Sequence, residues 1–182
     1  IQGTYEIFSR IAERHFGNDL RGRFILTAGM GGMGGAQPLA GRMAGAAILT
    51  VEINPERIDK RIKAGFLERR ADTLDEALAL IRQAQERREP LSVGLLGNAA
   101  DIYPEILARG IVPDIVTDQT SAHDLVYGYI PAGHTLEAVA ELRRTDIPGL
   151  MNASRTSIVR HVTAMPVSYT HLRAHETRGN VV

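Results

Sequence analysis

The chain of 182 residues is long enough for one domain with a buried core. Its 21 basic and 21 acidic residues cancel to a formal net charge of zero, which argues against nucleic acid and an anionic membrane surface as partners. There is no cysteine, so disulfides, thiolate metal sites and a cysteine nucleophile are excluded, and a reducing, cytoplasmic setting is expected.

Hydrophobic residues make up 44% and charged residues 23%, close to the globular average. The most apolar run, Leu39 to Ile53, is interrupted by Arg42 and Glu52 and is too short to span a bilayer. No basic and apolar leader opens the chain, which begins IQGTYEIFSRIAERHF without a Met. It is expected to be a fragment of a longer protein, or a mature form cut at that point.

The elements follow in chain order. Thr4 to Phe16 predicts an amphipathic helix, with Tyr5, Phe8, Ile11, Ala12 and His15 or Phe16 at three-to-four spacing. GNDLRG is a turn, and RFILTAG is a short apolar strand that runs straight into glycine. Gln37 to Gly45 predicts a helix with Pro38 in its first turn, and AAILTVEI a second strand ending in an acid. Asn54-Pro55 is an N-cap and N1 pair for a helix closing at Gly65, and Phe66 to Ala71 suits a short strand. Thr73 and Glu76 form a capping box for a helix whose inner face is Leu74, Ala77, Leu78 and Ile81, stopped by Pro90. LSVGLLGN is a third clear strand, AADIYPEILARG a helix, PDIVTDQTS a further strand, and the chain from Thr135 onward is helical. This alternation predicts an α/β fold, a Rossmann-like, doubly wound, mainly parallel sheet with flanking helices.

Five of the seven residues from Gly29 to Gly35 are glycine, and they lie between the first strand and the following helix. Gly29-x-Gly31-x-x-Gly34 matches the dinucleotide fingerprint. Its first glycine serves a sharp turn, its second lets backbone approach a pyrophosphate, and its third lets the helix pack on the strand. Glu52 stands where that fingerprint needs an acid for ribose hydroxyls, about 20 residues on, and favours NAD over NADP. Arg57 either receives a phosphate or faces solvent. No Lys-Ser/Thr follows the last glycine, which excludes a P-loop.

Two polar clusters follow later strands, where ligands bind in open α/β sheets. Asn98 either lines a cleft or caps its helix. The string DQTSAHD, with Asp118, Gln119, Thr120, Ser121 and His123, holds more hydrogen-bonding groups than a turn requires and predicts a site. Ser121, His123 and Asp124 are too close in sequence to form a hydrolase triad. His171 and His175 lack a third ligand, so no metal site is assigned.

TAGMGGMGGAQPLAG, LLGNAA, DIVTDQTSAHD and GYIPAG together resemble the urocanase (urocanate hydratase) family, from QGTYE to about Met165. The resemblance covers the family's central NAD-binding domain only, and the flanking core with the cysteine assigned a catalytic role is not in this chain. It implies NAD as a tightly held cofactor whose nicotinamide ring acts as an electrophile toward the urocanate imidazole rather than as a hydride carrier. Water then adds to give 4-imidazolone-5-propanoate in histidine breakdown. The intact enzyme is implied to be a homodimer.

Carried over residue by residue, the resemblance implies that Gly32, Met33 and Gly34 lie along the pyrophosphate, that Glu52 holds ribose, and that Arg57 sits close to the cofactor. Asn98 and Ala99 would line the cleft. Gln119, Thr120, Ser121, Ala122 and His123 would wrap the nucleotide, and Tyr129 with Ile130 would close it. No catalytic residue is assigned within this chain. Tyr127 departs from the family's small polar residue.

Residues 1–165 are read as the NAD-binding domain. The string PVSYTHLRAHETRGNVV, 166–182, departs from the family and resembles translated adapter sequence joined to a truncated gene. It is expected to be non-native and poorly ordered. The alternatives from other classes are a generic NAD-dependent oxidoreductase, for which no Ser-Tyr-Lys set is recognisable, and a stand-alone NAD-binding module.

Overall fold

A computed structural model describes residues 1–178, with side chains as far as 165. The expectations for 166–182, including His171 and His175, concern side chains outside those described. The elements are α1 (Gln2–His15), β1 (Phe24–Ala28), α2 (Gln37–Met43), β2 (Ala47–Glu52), α3 (Pro55–Lys63), β3 (Arg69–Ala71), α4 (Leu74–Arg87), β4 (Leu91–Leu96), α5 (Ala99–Ala108), β5 (Ile115–Val116), α6 (Leu136–Thr145) and α7 (Ile147–Arg178). The sheet is five-stranded and parallel in the order β3-β4-β2-β1-β5, with flanking helices, a Rossmann-like α/β architecture.

The central strands are parallel because both their faces are apolar. Every residue of FILTA in β1 and of AILTVE in β2 is buried, which an alternating strand could not sustain. Phe24 lies beside Ala47, and Ala47 beside Leu91, so β1, β2 and β4 run in register and end together. The chain steps from β1 to β2 on one side and returns on the other. The amides of Thr117 and Gln119, just after β5, donate to the carbonyls of Leu26 and Ala28, each at 2.9 Å. The strand order reverses at β1, so the C-terminal end of β1 is the switch point of the sheet.

Local capping rules hold. Asn54 Oδ1 accepts the Glu56 amide at 2.9 Å and Thr73 Oγ1 accepts the Glu76 amide at 3.2 Å. Glu76 returns its carboxylate to the amide of Asp72, at 3.1 Å, one residue ahead of the N-cap. Two strands are shorter than predicted. The amides of Phe66 and Leu67 both turn back to the Arg61 carbonyl, delaying β3 until Arg69. At β5, Pro113 precedes and the turn at Asp118 follows, leaving Ile115–Val116. In α1 only Phe8 and Ala12 are buried, while Tyr5 and His15 face solvent.

The chain forms two compact units, one of residues 1–97 and 117–120, the other of 98–116 and 121–182. The first contains β1 to β4 with α1 to α4. In the second, α5 meets α7 through the edge-to-face pair Tyr103–His161, centroids 4.6 Å apart, and the Asp101–Arg160 ion pair at 2.9 Å.

In the first unit α2 lies hard against β2 at Gly41, where an added Cβ would stand 2.7 Å from Ile48 Cδ1. Gly41→Ala is expected to lower stability by about 1–3 kcal/mol through overpacking. Urea denaturation should show a lower midpoint at unchanged slope. An unchanged midpoint would mean that α2 has room to move.

Candidate functional site

The loop after β1 is built on a single reversal. Gly29 takes a left-handed φ of +86°, alone among the glycines of the loop, and its own amide is held by the Val51 carbonyl at 2.8 Å. A Cβ there would also lie 2.6 Å from the backbone oxygen of Gln119. A Cβ on Gly34 would run into the Gly29 carbonyl, so the loop closes on itself at that glycine. The close helix-to-strand approach expected of the third fingerprint glycine falls instead at Gly41. Between these fixed points Gly31 is half-buried, and Gly32 and Met33 are exposed. Among the described residues no protein atom accepts a hydrogen bond from the amides of Gly32, Met33 or Gly34.

Glu52, at the end of β2, is only 3% exposed, and its carboxylate faces this loop. Oε2 accepts the Met30 amide at 2.6 Å and Oε1 accepts the Asn54 amide at 2.9 Å. Arg57, on the first turns of α3, lies 3.7 Å from Oε2 with its side chain half exposed. The structure thus sets this acid against the loop, where it holds the amide of Met30, next after the Gly29 reversal.

After β5, still within the first unit, Asp118 closes a tight turn. Oδ1 accepts the Thr120 amide at 3.0 Å and Oδ2 the Thr120 hydroxyl at 2.8 Å. Gln119 projects as an exposed residue beside Gly29. Thr117 Oγ1 lies 3.0 Å from Thr27 Oγ1 and donates to Gln37 Oε1 at 3.1 Å, tying β1 and the start of α2 to this strand end. Thr117 and the buried Gln37 were missed in the sequence because their pairing spans 80 residues.

In the second unit, Asn98 caps α5. Its Oδ1 accepts the Ala100 amide at 2.9 Å, and its Nδ2 donates to the Ile130 carbonyl at 2.9 Å. Ala99, the first residue of that helix, is buried. Ser121 and Ala122 are half-buried and His123 is exposed. The following turn is organised by Asp124, whose Oδ1 accepts the amides of Tyr127 at 2.9 Å and Val126 at 3.0 Å. Tyr129 is buried behind it and Ile130 is half-buried. Arg143 braces the same turn from α6, donating to the carbonyl of Val126 at 2.7 Å and lying over the exposed Tyr127 ring. Among the described residues no group of three metal-ligating side chains occurs, and no helix is long and apolar enough to cross a membrane.

The amides of Tyr127 and Val126 hold the Asp124 carboxyl below the ordinary carboxylate range. Because its folded value is depressed, this contribution is complete above the unfolded value of about 3.9 and is lost as pH falls through the folded value. In NMR spectra the amide resonances of Val126 and Tyr127 should titrate together with a midpoint below about 3.9. A midpoint at or above that value would show that the turn does not form.

Comparison with known families bears on both units. The family model for urocanase, described as the urocanase Rossmann-like domain, matches residues 1–175. This agrees with the five-stranded parallel sheet and its flanking helices. The chain belongs to the urocanase family, as a urocanase Rossmann-like domain.

Proposed function

We propose that this chain is the NAD-binding part of a urocanate hydratase, the hydro-lyase that converts urocanate into 4-imidazolone-5-propanoate in histidine breakdown. The observation that carries the reading is the loop tip: three consecutive amides, from Gly32 to Gly34, have no protein acceptor among the described residues and stand at the sheet's switch point. An anion with several oxygens satisfies such a set, and a pyrophosphate has the right charge and span. Gly32 has no other group within 4 Å of where a Cβ would sit, so a ligand's approach to the backbone is open.

The remaining residues of the first unit fit the rest of a dinucleotide. Each Glu52 oxygen accepts one amide, which leaves lone pairs for ribose hydroxyls. The half-exposed Arg57 guanidinium supplies positive charge next to that carboxylate. Gly29 and Gly31 shape the turn, Gln119 offers an exposed side-chain amide at the neighbouring strand end, and Thr120, whose amide and hydroxyl both donate to Asp118, keeps acceptor capacity on its hydroxyl oxygen. In the second unit the cofactor contacts proposed, on the resemblance alone, are Asn98, Ala99, the run Ser121–His123, Tyr129 and Ile130. NAD+ when bound supplies an electrophilic nicotinamide ring. This chain's residues would fix its position, with the amides of Gly32 to Gly34 donating hydrogen bonds to the phosphates and Glu52 accepting from the ribose hydroxyls.

The family's catalytic cysteine has no counterpart here, because the chain contains none. The chain alone is therefore proposed to bind NAD+ without hydrating urocanate. A cytoplasmic location and a homodimer are proposed for the full-length enzyme.

Calorimetric titration should show NAD+ binding to the purified chain, and the ultraviolet absorbance of added urocanate should stay constant. Absence of binding, or steady loss of that absorbance, would overturn the reading. Glu52→Ala should weaken NAD+ binding by about 1–3 kcal/mol, roughly five- to 150-fold in Kd.

A further inference from the structure

A loop that offers amides to an anion must turn its carbonyls elsewhere, since a carbonyl oxygen facing a phosphate repels it. The side chain that receives those carbonyls is Arg61, on the last turn of α3. Its Nη2 donates to the Gly31 carbonyl at 2.6 Å and to the Met30 carbonyl at 3.3 Å, and Nε reaches the Met30 carbonyl at 3.4 Å. The guanidinium fork is half-buried and lies 5.7 Å from the Phe66 ring centroid. The backbone carbonyl of Arg61 accepts the Phe66 and Leu67 amides at 2.9 and 3.2 Å, so its main chain is anchored as well.

Gly35 carries the complementary signature. A Cβ there would collide with the guanidinium of Arg61, the source of all three of its nearest atoms. The last glycine of the doubled Met-Gly-Gly lies outside the fingerprint spacing, and its lack of a side chain makes the space that this arginine occupies. Arg57, one turn earlier on the same helix, meets Glu52 instead.

We propose that Arg61 is a positioning residue for pyrophosphate recognition. It holds the Met30 and Gly31 carbonyls on the α3 side of the loop, so that the amides of Gly32, Met33 and Gly34 face the ligand, and Gly35 makes room for its guanidinium. The inference rests on the NAD-binding reading above and adds a residue that does not itself touch the cofactor. A planar fork is needed because two successive carbonyls are taken at once, which a lysine ammonium on a flexible stem does not reproduce.

The test measures NAD+ and adenosine binding by calorimetry and competition for the wild-type chain and for Arg61→Ala, Arg61→Lys, Gly35→Ala and the double variant Gly35→Ala/Arg61→Ala, with thermal unfolding followed in parallel. Arg61→Ala and Arg61→Lys are each expected to weaken NAD+ binding about tenfold or more. Adenosine, which has no phosphate, should bind within about twofold of wild type. Gly35→Ala should weaken NAD+ binding by displacing the guanidinium, and the double variant should bind like Arg61→Ala alone, because the added methyl then meets no arginine. Should Arg61→Ala fail to fold, Arg61→Lys, which keeps the charge and the helix propensity, decides the question.

Wild-type NAD+ affinity in a folded Arg61→Lys variant, equal losses for NAD+ and adenosine, or additive losses in the double variant would each overturn this inference while leaving NAD binding intact. A wild-type chain that binds no NAD+ would overturn both readings.

Discussion

The glycine loop depends on how the peptide unit of Met30 is held. Its amide is taken by Glu52 from the end of β2, and its carbonyl by Arg61 from the end of α3. Its side chain is buried with Ile58 and Leu67. Gly94 on β4 leaves the space for that packing, since a Cβ there would stand 2.6 Å from Leu67 and 3.1 Å from the Met30 methyl. An acid, a base and an apolar pocket thus fix one residue, and the amides that follow, on the exposed Gly32 and Met33 and the buried Gly34, inherit its orientation. The buried carboxylate is tolerable because two amides and a guanidinium face it.

The opposite wall of the loop is set by backbone alone. Gln119 lies so close to Gly29 that Gly29 has no space for a methyl group, and Gly34 has none against the Gly29 carbonyl. That closeness follows from strand pairing, since Gln119 donates its amide to Ala28, the last residue of β1. The switch point is therefore a place where two strand ends meet at hydrogen-bonding distance. The hydroxyl chain from Thr27 through Thr117 to Gln37 then satisfies polar groups that would otherwise be buried without partners.

The polar string DQTSAHD divides between two structural tasks. Asp118 and Thr120 complete a turn within the first unit, while Asp124 gathers the amides of Val126 and Tyr127 in the second. Arg143 takes the carbonyls of the same turn, so donors and acceptors of adjacent peptides are separated onto opposite charges. The same division operates at the glycine loop, where Glu52 takes an amide and Arg61 takes carbonyls. Irregular backbone keeps one conformation in both places because charged side chains stand in for the missing ladder.

The amino-acid sequence by itself determined what local rules control. These are the buried parallel strands read from FILTA and AILTVE, the caps at Asn54 and Thr73, the reversal at Gly29 and the position of Glu52 at the loop. Each of these is expressed within a few residues, or through a spacing that one strand and one helix impose. Only the tertiary structure decided that β4 lies between β2 and β3, that β5 shrinks to two residues, and that His15 faces solvent. It also decided that Arg61, rather than Arg57 one helical turn away, reaches the loop carbonyls. The two arginines share one face of α3, and what separates them is where the end of that helix meets a loop 30 residues earlier in the chain. That distance is closed by the β1–β2 pairing and the burial of Met30, Ile58 and Leu67, which no local pattern encodes.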